Sequence, residues 1–291
     1  MIKRFVLATL FCLAGATVVL RPGLTADAQR PPAAPTPLPG AVAAAPAENT
    51  IQLAWMIYMS GIKLGVVGLK TSFQPGVYSS VSSLKTGGLV SVFYEAKIYA
   101  NSAGLVVGST LRPRTYTANA DTRKKQKTEL AYSAAGVTLL ADPPYNTERF
   151  PVSDEQKRDT LDPVSAMTFA ISGISVTQQH PCGDTLHVFD GARRYDVEFK
   201  FMENTTLDSD GYSGPAIKCE VIYKQVAGFK PSVKQGDKTY PIYVWGAPFQ
   251  TQAPGPLRRF YVPVKIMTET AFGTAVARAH QITVDGEKRT D

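Results

Sequence analysis

The stretch Leu186-His187-Val188-Phe189-Asp190-Gly191-Ala192-Arg193-Arg194-Tyr195-Asp196-Val197-Glu198-Phe199-Lys200-Phe201 decides the fold. Asp-Gly between two runs of β-forming residues is the strongest short-range hairpin signal, and it predicts a two-residue turn at Asp190 and Gly191. The return strand alternates, with Tyr195, Val197, Phe199 and Phe201 on one side and Arg194, Asp196, Glu198 and Lys200 on the other. A period of two predicts an antiparallel sheet with one buried and one wet face.

Runs of the same kind fill the chain on both sides. Upstream they occupy residues 51–59, 62–73, 77–85, 89–99, 105–111, 115–118, 128–132 and 137–140. Downstream they occupy 217–226, 240–245, 260–269 and 275–284. Gly, Pro, Asn and Ser separate them, and residues 101–104 and 208–211 read as turns. Pro263 inside a run predicts an edge or a bulge. One segment departs from the pattern. Asp162 suits a helix N-cap and Pro163 the first helical position, so residues 161–171 predict a short helix. Leu161 would staple onto Ala166, and Val164, Met167, Ala170 and Ile171 would share a face. Residues 154–158 predict one further helical turn. The fold class is therefore mainly β: a large curved antiparallel sheet or open half-barrel covered by one short helix.

The ends set the organisation and the compartment. Lys3 and Arg4 precede an apolar run over residues 5–20, and Ala26-Asp27-Ala28 follows, which is the pattern of a secretory signal peptide cleaved after Ala28. The run is shorter than the roughly 20 residues of a spanning helix. Residues 29–49 are rich in Pro and Ala and read as a disordered tether. A single β domain over 50–285 and a C-terminal tail over 286–291 complete the division. The expected location is the periplasm.

Export bears on the rest of the composition. The whole chain carries +7, and the leader holds Lys3, Arg4 and Arg21 against Asp27, so +7 less +2 leaves +5 for the processed protein. Basic residues cluster at Arg123-Lys124-Lys125 with Lys127, at Arg193-Arg194 and at Arg258-Arg259. They read as solvated strand edges and turns, or as a peripheral contact with an anionic membrane surface. Nucleic acid is not an expected partner, because no recognition motif is present and the protein is exported. The leader removes Cys12 and leaves Cys182 and Cys219, which in an oxidising compartment form a disulfide most simply. Zinc would have only His180 nearby as a further ligand.

Residues that could carry chemistry are few. Ser213 lacks the spacing of a nucleophile elbow. Asp208 and Asp210 before Gly211 echo a calcium loop without its later ligands. No catalytic residue, cofactor or metal site is therefore assigned. Asp190, Arg193, Arg194 and Asp196 form either a polar recognition patch or a salt-bridged turn. Trp55, Ile57, Val164, Met167, Ile171, Phe199 and Phe201 form either a concave apolar surface for a hydrophobic ligand or the closed core that every fold requires.

Gly61 and Gly65, the run from Leu161 to Ala166, Cys182, the run from Val188 to Asp196, Cys219, Val262-Pro263-Val264 and Gly273 occur in that order. Together they resemble the uncharacterised envelope proteins grouped as domain of unknown function 3108, over roughly residues 55–285. The resemblance implies an exported Gram-negative protein without an established activity. By analogy of fold it implies an open half-barrel similar to periplasmic lipoprotein and lipid carriers. The expected function is non-enzymatic binding of a lipid, lipoprotein or other hydrophobic molecule. The alternative is a structural or interaction protein of envelope assembly with an envelope protein as partner.

Overall fold

The computed structural model describes residues 47–87, 91, 95–209, 211–230 and 240–290, so the leader and most of the tether lie outside the described residues. The strands are β1 (Asn49–Met59), β2 (Ile62–Gln74), β3 (Val77–Thr86), β4 (Lys97–Val107), β5 (Thr110–Asp121), β6 (Lys125–Ser133) and β7 (Gly136–Asp142). They continue as β8 (Leu186–Phe189), β9 (Arg194–Ser209), β10 (Tyr212–Ala227), β11 (Ile242–Gln250), β12 (Arg259–Thr270), β13 (Gly273–Val284) and β14 (Glu287–Lys288). Two helices, α1 (Asp154–Lys157) and α2 (Pro163–Ser172), lie between β7 and β8.

All strands belong to one antiparallel sheet in the order β7-β6-β5-β4-β3-β2-β1-β13-β12-β11-β10-β9-β8, with β14 on β13. The sheet is open, with β7 and β8 as its ends. It curls around α2, which touches β3, β4 and β5 on one side and β8 and β12 on the other. Curling brings the ends together. A Cβ on Gly191, after β8, would lie 2.9 Å from Thr128 and 3.2 Å from Leu139 on β6 and β7. The free edge of β8 is partly covered as well, because Leu161 donates to His187 and accepts from Phe189 through the backbone.

The interior holds a large apolar core. Ile51, Leu53, Leu69, Phe73, Val164, Ile171, Val188, Phe189, Phe260, Val262 and Ile282 are buried almost completely. Each such side chain contributes about 1.5–3 kcal/mol by leaving water. Phe73 on β2 meets Phe260 on β12 with ring centroids 6.0 Å apart, linking the two halves of the sheet. β12 pairs with β13 only from Lys265 onward. Before that point the Pro263 carbonyl accepts the Trp55 Nε1 hydrogen at 2.6 Å.

The structure revises several expectations. The turn at Asp190 and Gly191 is a four-residue connection, since Phe189 pairs with Arg194. The Asp190 carboxylate explains this by accepting from the amides of Ala192 (2.9 Å) and Arg193 (2.7 Å), an arrangement that competes with a tight turn. Residues 101–104 lie within β4. Gly104 marks a register shift there, where a Cβ would meet the Arg112 carbonyl at 2.3 Å. The strand expected over 105–111 therefore straddles the true turn at residues 108–109. Pro263 borders a bulge between β11 and β12, as anticipated. Asn49 is not tether: it is fully buried and holds Leu257 N and Ala253 O, fastening the loop before β12. Residues 286–290 are not a free tail, because β14 pairs with β13. Parts of the strand expected over 89–99, and Asp210 in the turn, lie outside the described residues.

Candidate functional site

The helix that fills the sheet forms largely as its sequence predicts. Asp162 caps α2 through Val164 N and Ser165 N, Pro163 opens it, and Gly173 closes it at φ 66°. Its surroundings differ from the expected apolar face. Ser165, Thr168 and Ser172 on α2 are buried, as are Thr71, Ser80, Ser82, Ser102, Gln126 and Thr128 on β2 to β6. Buried hydroxyls persist only when paired, and several of these pair between α2 and the sheet. Ser80 meets Thr168 at 2.7 Å and Thr71 at 3.0 Å. Ser102 and Ser165 donate to Asp162 Oδ2 at 2.8 and 2.5 Å. Because the Ser165 hydrogen is committed to Asp162, the Tyr78 hydroxyl at 2.7 Å must donate to Ser165. Burial pushes the Asp162 carboxyl up to about 6, against hydrogen bonds from Ser165, Ser102 and Val164. Burial also raises the phenol of Tyr78. This network locks α2 to the wall. The sequence signalled it only through Ser and Thr on the inward side of strands.

Val164 and Ile171 are core residues, Trp55 is buried, and Ile57 and Met167 are half-buried against the core. The structure gathers the remaining apolar candidates on the β9–β10 ribbon. Phe199 pairs with Val221, Val197 with Tyr223, and Phe201 with Cys219, so these residues share one face. Tyr195 stacks near Tyr223 at 5.0 Å, and Tyr223 meets Phe229 edge-on at 6.3 Å. Phe229 opens into a surface depression of about 370 Å³, also lined by Phe150, Pro151 and Val226. The result is a continuous apolar and aromatic strip that stays half-open. Sequence alternation identifies its β9 half. Tyr223 and Phe229 are supplied by the pairing register and a loop, which sequence alone does not give. Phe201 keeps the face of Phe199 but lies at the open end of the strip. Met202 bulges out of register beside it, and Phe201 is 41 % exposed.

The Cys182–Cys219 disulfide ties the segment after α2 to this face of β10. It closes a separation of 37 residues, which in the chain-entropy account stabilises the fold by about 3–4 kcal/mol.

The structure resolves Asp190, Arg193, Arg194 and Asp196 into two pieces. Asp190 caps its own turn, and burial raises its carboxyl against the Ala192 and Arg193 amides. Arg194 is nearly buried and bridges Asp196 at 2.5 Å, while its Nε donates to the Gln156 carbonyl that closes α1 over it. His187 lies 2.6 Å from the same carboxylate oxygen. Burial alone would raise Asp196, but hydrogen bonds from His187 and Arg194 hold it below the usual carboxylate range. Arg193 instead covers the Phe229 ring at 5.4 Å. The side of β9 predicted to be wet is thus partly covered. These charges join α1, β8 and β9.

The family model described as Protein of unknown function (DUF3108) matches residues 52–280. No curated protein matches the chain significantly. Among solved structures, a beta-barrel-like protein of the DUF1849 domain of unknown function from Brucella abortus is similar, with 9% identity and a TM-score of 0.46. The alignment covers 82% of this chain and 98% of that one.

Proposed function

The chain belongs to the DUF3108 family, and from that premise we propose that it is an exported envelope protein that binds a lipid, lipoprotein or other hydrophobic molecule without catalysis. The observation that supports this is the half-open strip of Tyr195, Val197, Phe199, Val221, Tyr223 and Phe229. The wall facing α2 carries hydrogen-bonded hydroxyls on Ser80, Ser102 and Thr71, so this reading puts the ligand on the strip and not under the helix. Affinity on such a surface comes from apolar area with few polar contacts. The most conspicuous buried carboxylate, Asp162, is occupied by capping and by hydroxyl donors, which gives it a scaffolding role. The test is native mass spectrometry of the protein purified from an envelope fraction, followed by organic extraction. A co-purifying hydrophobic mass that Phe199→Ser removes supports the reading. Protein that carries none and takes up none when offered lipid refutes it.

A second reading as an interaction protein has its own support. β8 covers β9 only over Arg194–Val197, so from Glu198 onward the outer edge of β9 has no strand partner among the described residues. An open edge accepts an added strand, although the bulge at Met202 and the charges of Lys200 and Glu203 oppose casual pairing. A partner bound there would protect the amides of residues 198–209 from hydrogen exchange. Unchanged exchange in its presence would rule the edge out.

A further inference from the structure

The β9–β10 strip ends in a depression whose chemistry differs from its own. Phe229 and Phe150 line this space of about 370 Å³ together with Pro151, Val226 and Lys230. Three segments meet there: the loop before α1, the end of β10, and the turn after β8. Gly228 permits the meeting, because a Cβ there would lie 2.2 Å from the Ala192 carbonyl oxygen and 2.8 Å from the Arg193 Cα. Its φ of 83° also favours glycine. The turn thereby brings Arg193 against the end of β10.

Each phenyl ring of the depression carries a guanidinium. Arg193 lies 5.4 Å from the centre of the Phe229 ring, and Arg149 lies 5.6 Å from that of Phe150. Stacking engages the face of a guanidinium and leaves its five in-plane N–H donors for an acceptor. Such forks suit carboxylate and phosphate oxygens. Lys230 adds an exposed ammonium on the same rim. The Asp190 carboxylate attracts Arg193 through space, but it accepts its hydrogen bonds from the Ala192 and Arg193 amides. No carboxylate lines the depression among the described residues.

From Phe229 the strip runs away from these charges. Tyr223, Val221 and Cys219 follow at two-residue steps on β10, opposite Val197, Phe199 and Phe201 on β9. Tyr223 to Cys219 covers about 13 Å at the usual strand rise. The track is two side chains wide, which suits one alkyl chain better than two. The depression lies near the low end of the roughly 300–1,000 Å³ of small-molecule sites, room for one head group.

We propose that the ligand is a single-chain amphiphilic acid. Its ionised head group, a carboxylate or phosphate monoester, sits in the depression against Arg193, Arg149 and Lys230. Its chain lies along Tyr223, Val221 and Phe199. This rests on the reading of the strip as a hydrophobic site and adds the head group, the number of chains and their direction.

The test is fluorescence titration of the full processed chain with cis-parinaric acid and with its methyl ester at about pH 8, where a carboxyl is ionised. The acid should bind at least about tenfold more tightly than the ester, as charge-assisted hydrogen bonds require. Arg193→Gln/Lys230→Gln should bring the acid down to the affinity of the ester, and Phe199→Ser should weaken both. Displacement by dodecanoate or by dodecyl phosphate supports the assignment and ranks the two acids. Equal binding of acid and ester, or acid binding unmoved by the double change at matched folding, overturns the head-group site while the strip reading stands. Uptake of neither probe overturns both. Displacement by inorganic phosphate alone overturns the role of the chain. Binding to phosphatidylglycerol vesicles with no uptake of the free acid overturns the single-chain source.

Discussion

Ser102, midway along β4, donates its hydroxyl at 2.8 Å to Asp162, the residue that caps α2. One carboxylate thereby starts the helix and fastens it to the sheet. Burial raises its pKa from the ordinary 3.8 to about 6, so the folded state holds the proton more tightly than the unfolded chain does. That contribution to stability is complete below the unfolded value and is lost as pH rises through about 6. The tighter hold on the proton corresponds to about 3 kcal/mol. Asp162→Asn keeps a good cap and removes the titration. Urea unfolding from about pH 4 to about pH 7 should show the parent losing on the order of 2–3 kcal/mol relative to Asp162→Asn. Parallel curves would place the raised proton affinity elsewhere.

Trp55→Phe should destabilise the protein by about 1–3 kcal/mol. It keeps most of the apolar area but leaves the half-buried Pro263 carbonyl without this donor. Equilibrium unfolding measures this, and a change within about 0.3 kcal/mol would mean another group takes over.

Reduction, or Cys182→Ser with Cys219→Ser, should lower stability by about 3–4 kcal/mol through the unfolded chain. Proteolysis should then cut within residues 173–185 first, where the bridge no longer holds the segment to β10. Equal melting with and without reductant would contradict this.

Much of the sheet was legible because alternation reports directly on which side of a strand is buried. The helix was legible because Asp162, Pro163 and Gly173 each act within one turn. The candidate site was less so. The face of α2 that meets Ser80 and Ser102 reads as polar, and only the partner strands show that its hydroxyls are paired. Alternation correctly puts Phe201 on the Phe199 face, but its exposure depends on neighbouring elements, and a single strand cannot reveal the bulge at Met202 just beyond it. The bulge exists only relative to Lys218 and Cys219 on β10.

Phe201→Ser should change stability by less than about 0.5 kcal/mol, as an exposed position does. If the strip binds a hydrophobic ligand, this change should weaken binding less than a change at Phe199 does. Thermal melting and ligand titration of the two variants side by side would check this. A larger loss at Phe201 would move the binding surface to the exposed end of the ribbon.

Uptake of a hydrophobic molecule by the β9–β10 strip is tested most directly by the fluorescence of N-phenylnaphthylamine, titrated with parent protein and with Phe199→Asp. Binding on the strip predicts blue-shifted, saturable emission with the parent and at least about tenfold weaker binding by the variant, since burying a phenyl group contributes about 1.5–3 kcal/mol. Equal emission from both proteins, at matched folding by circular dichroism, would contradict it.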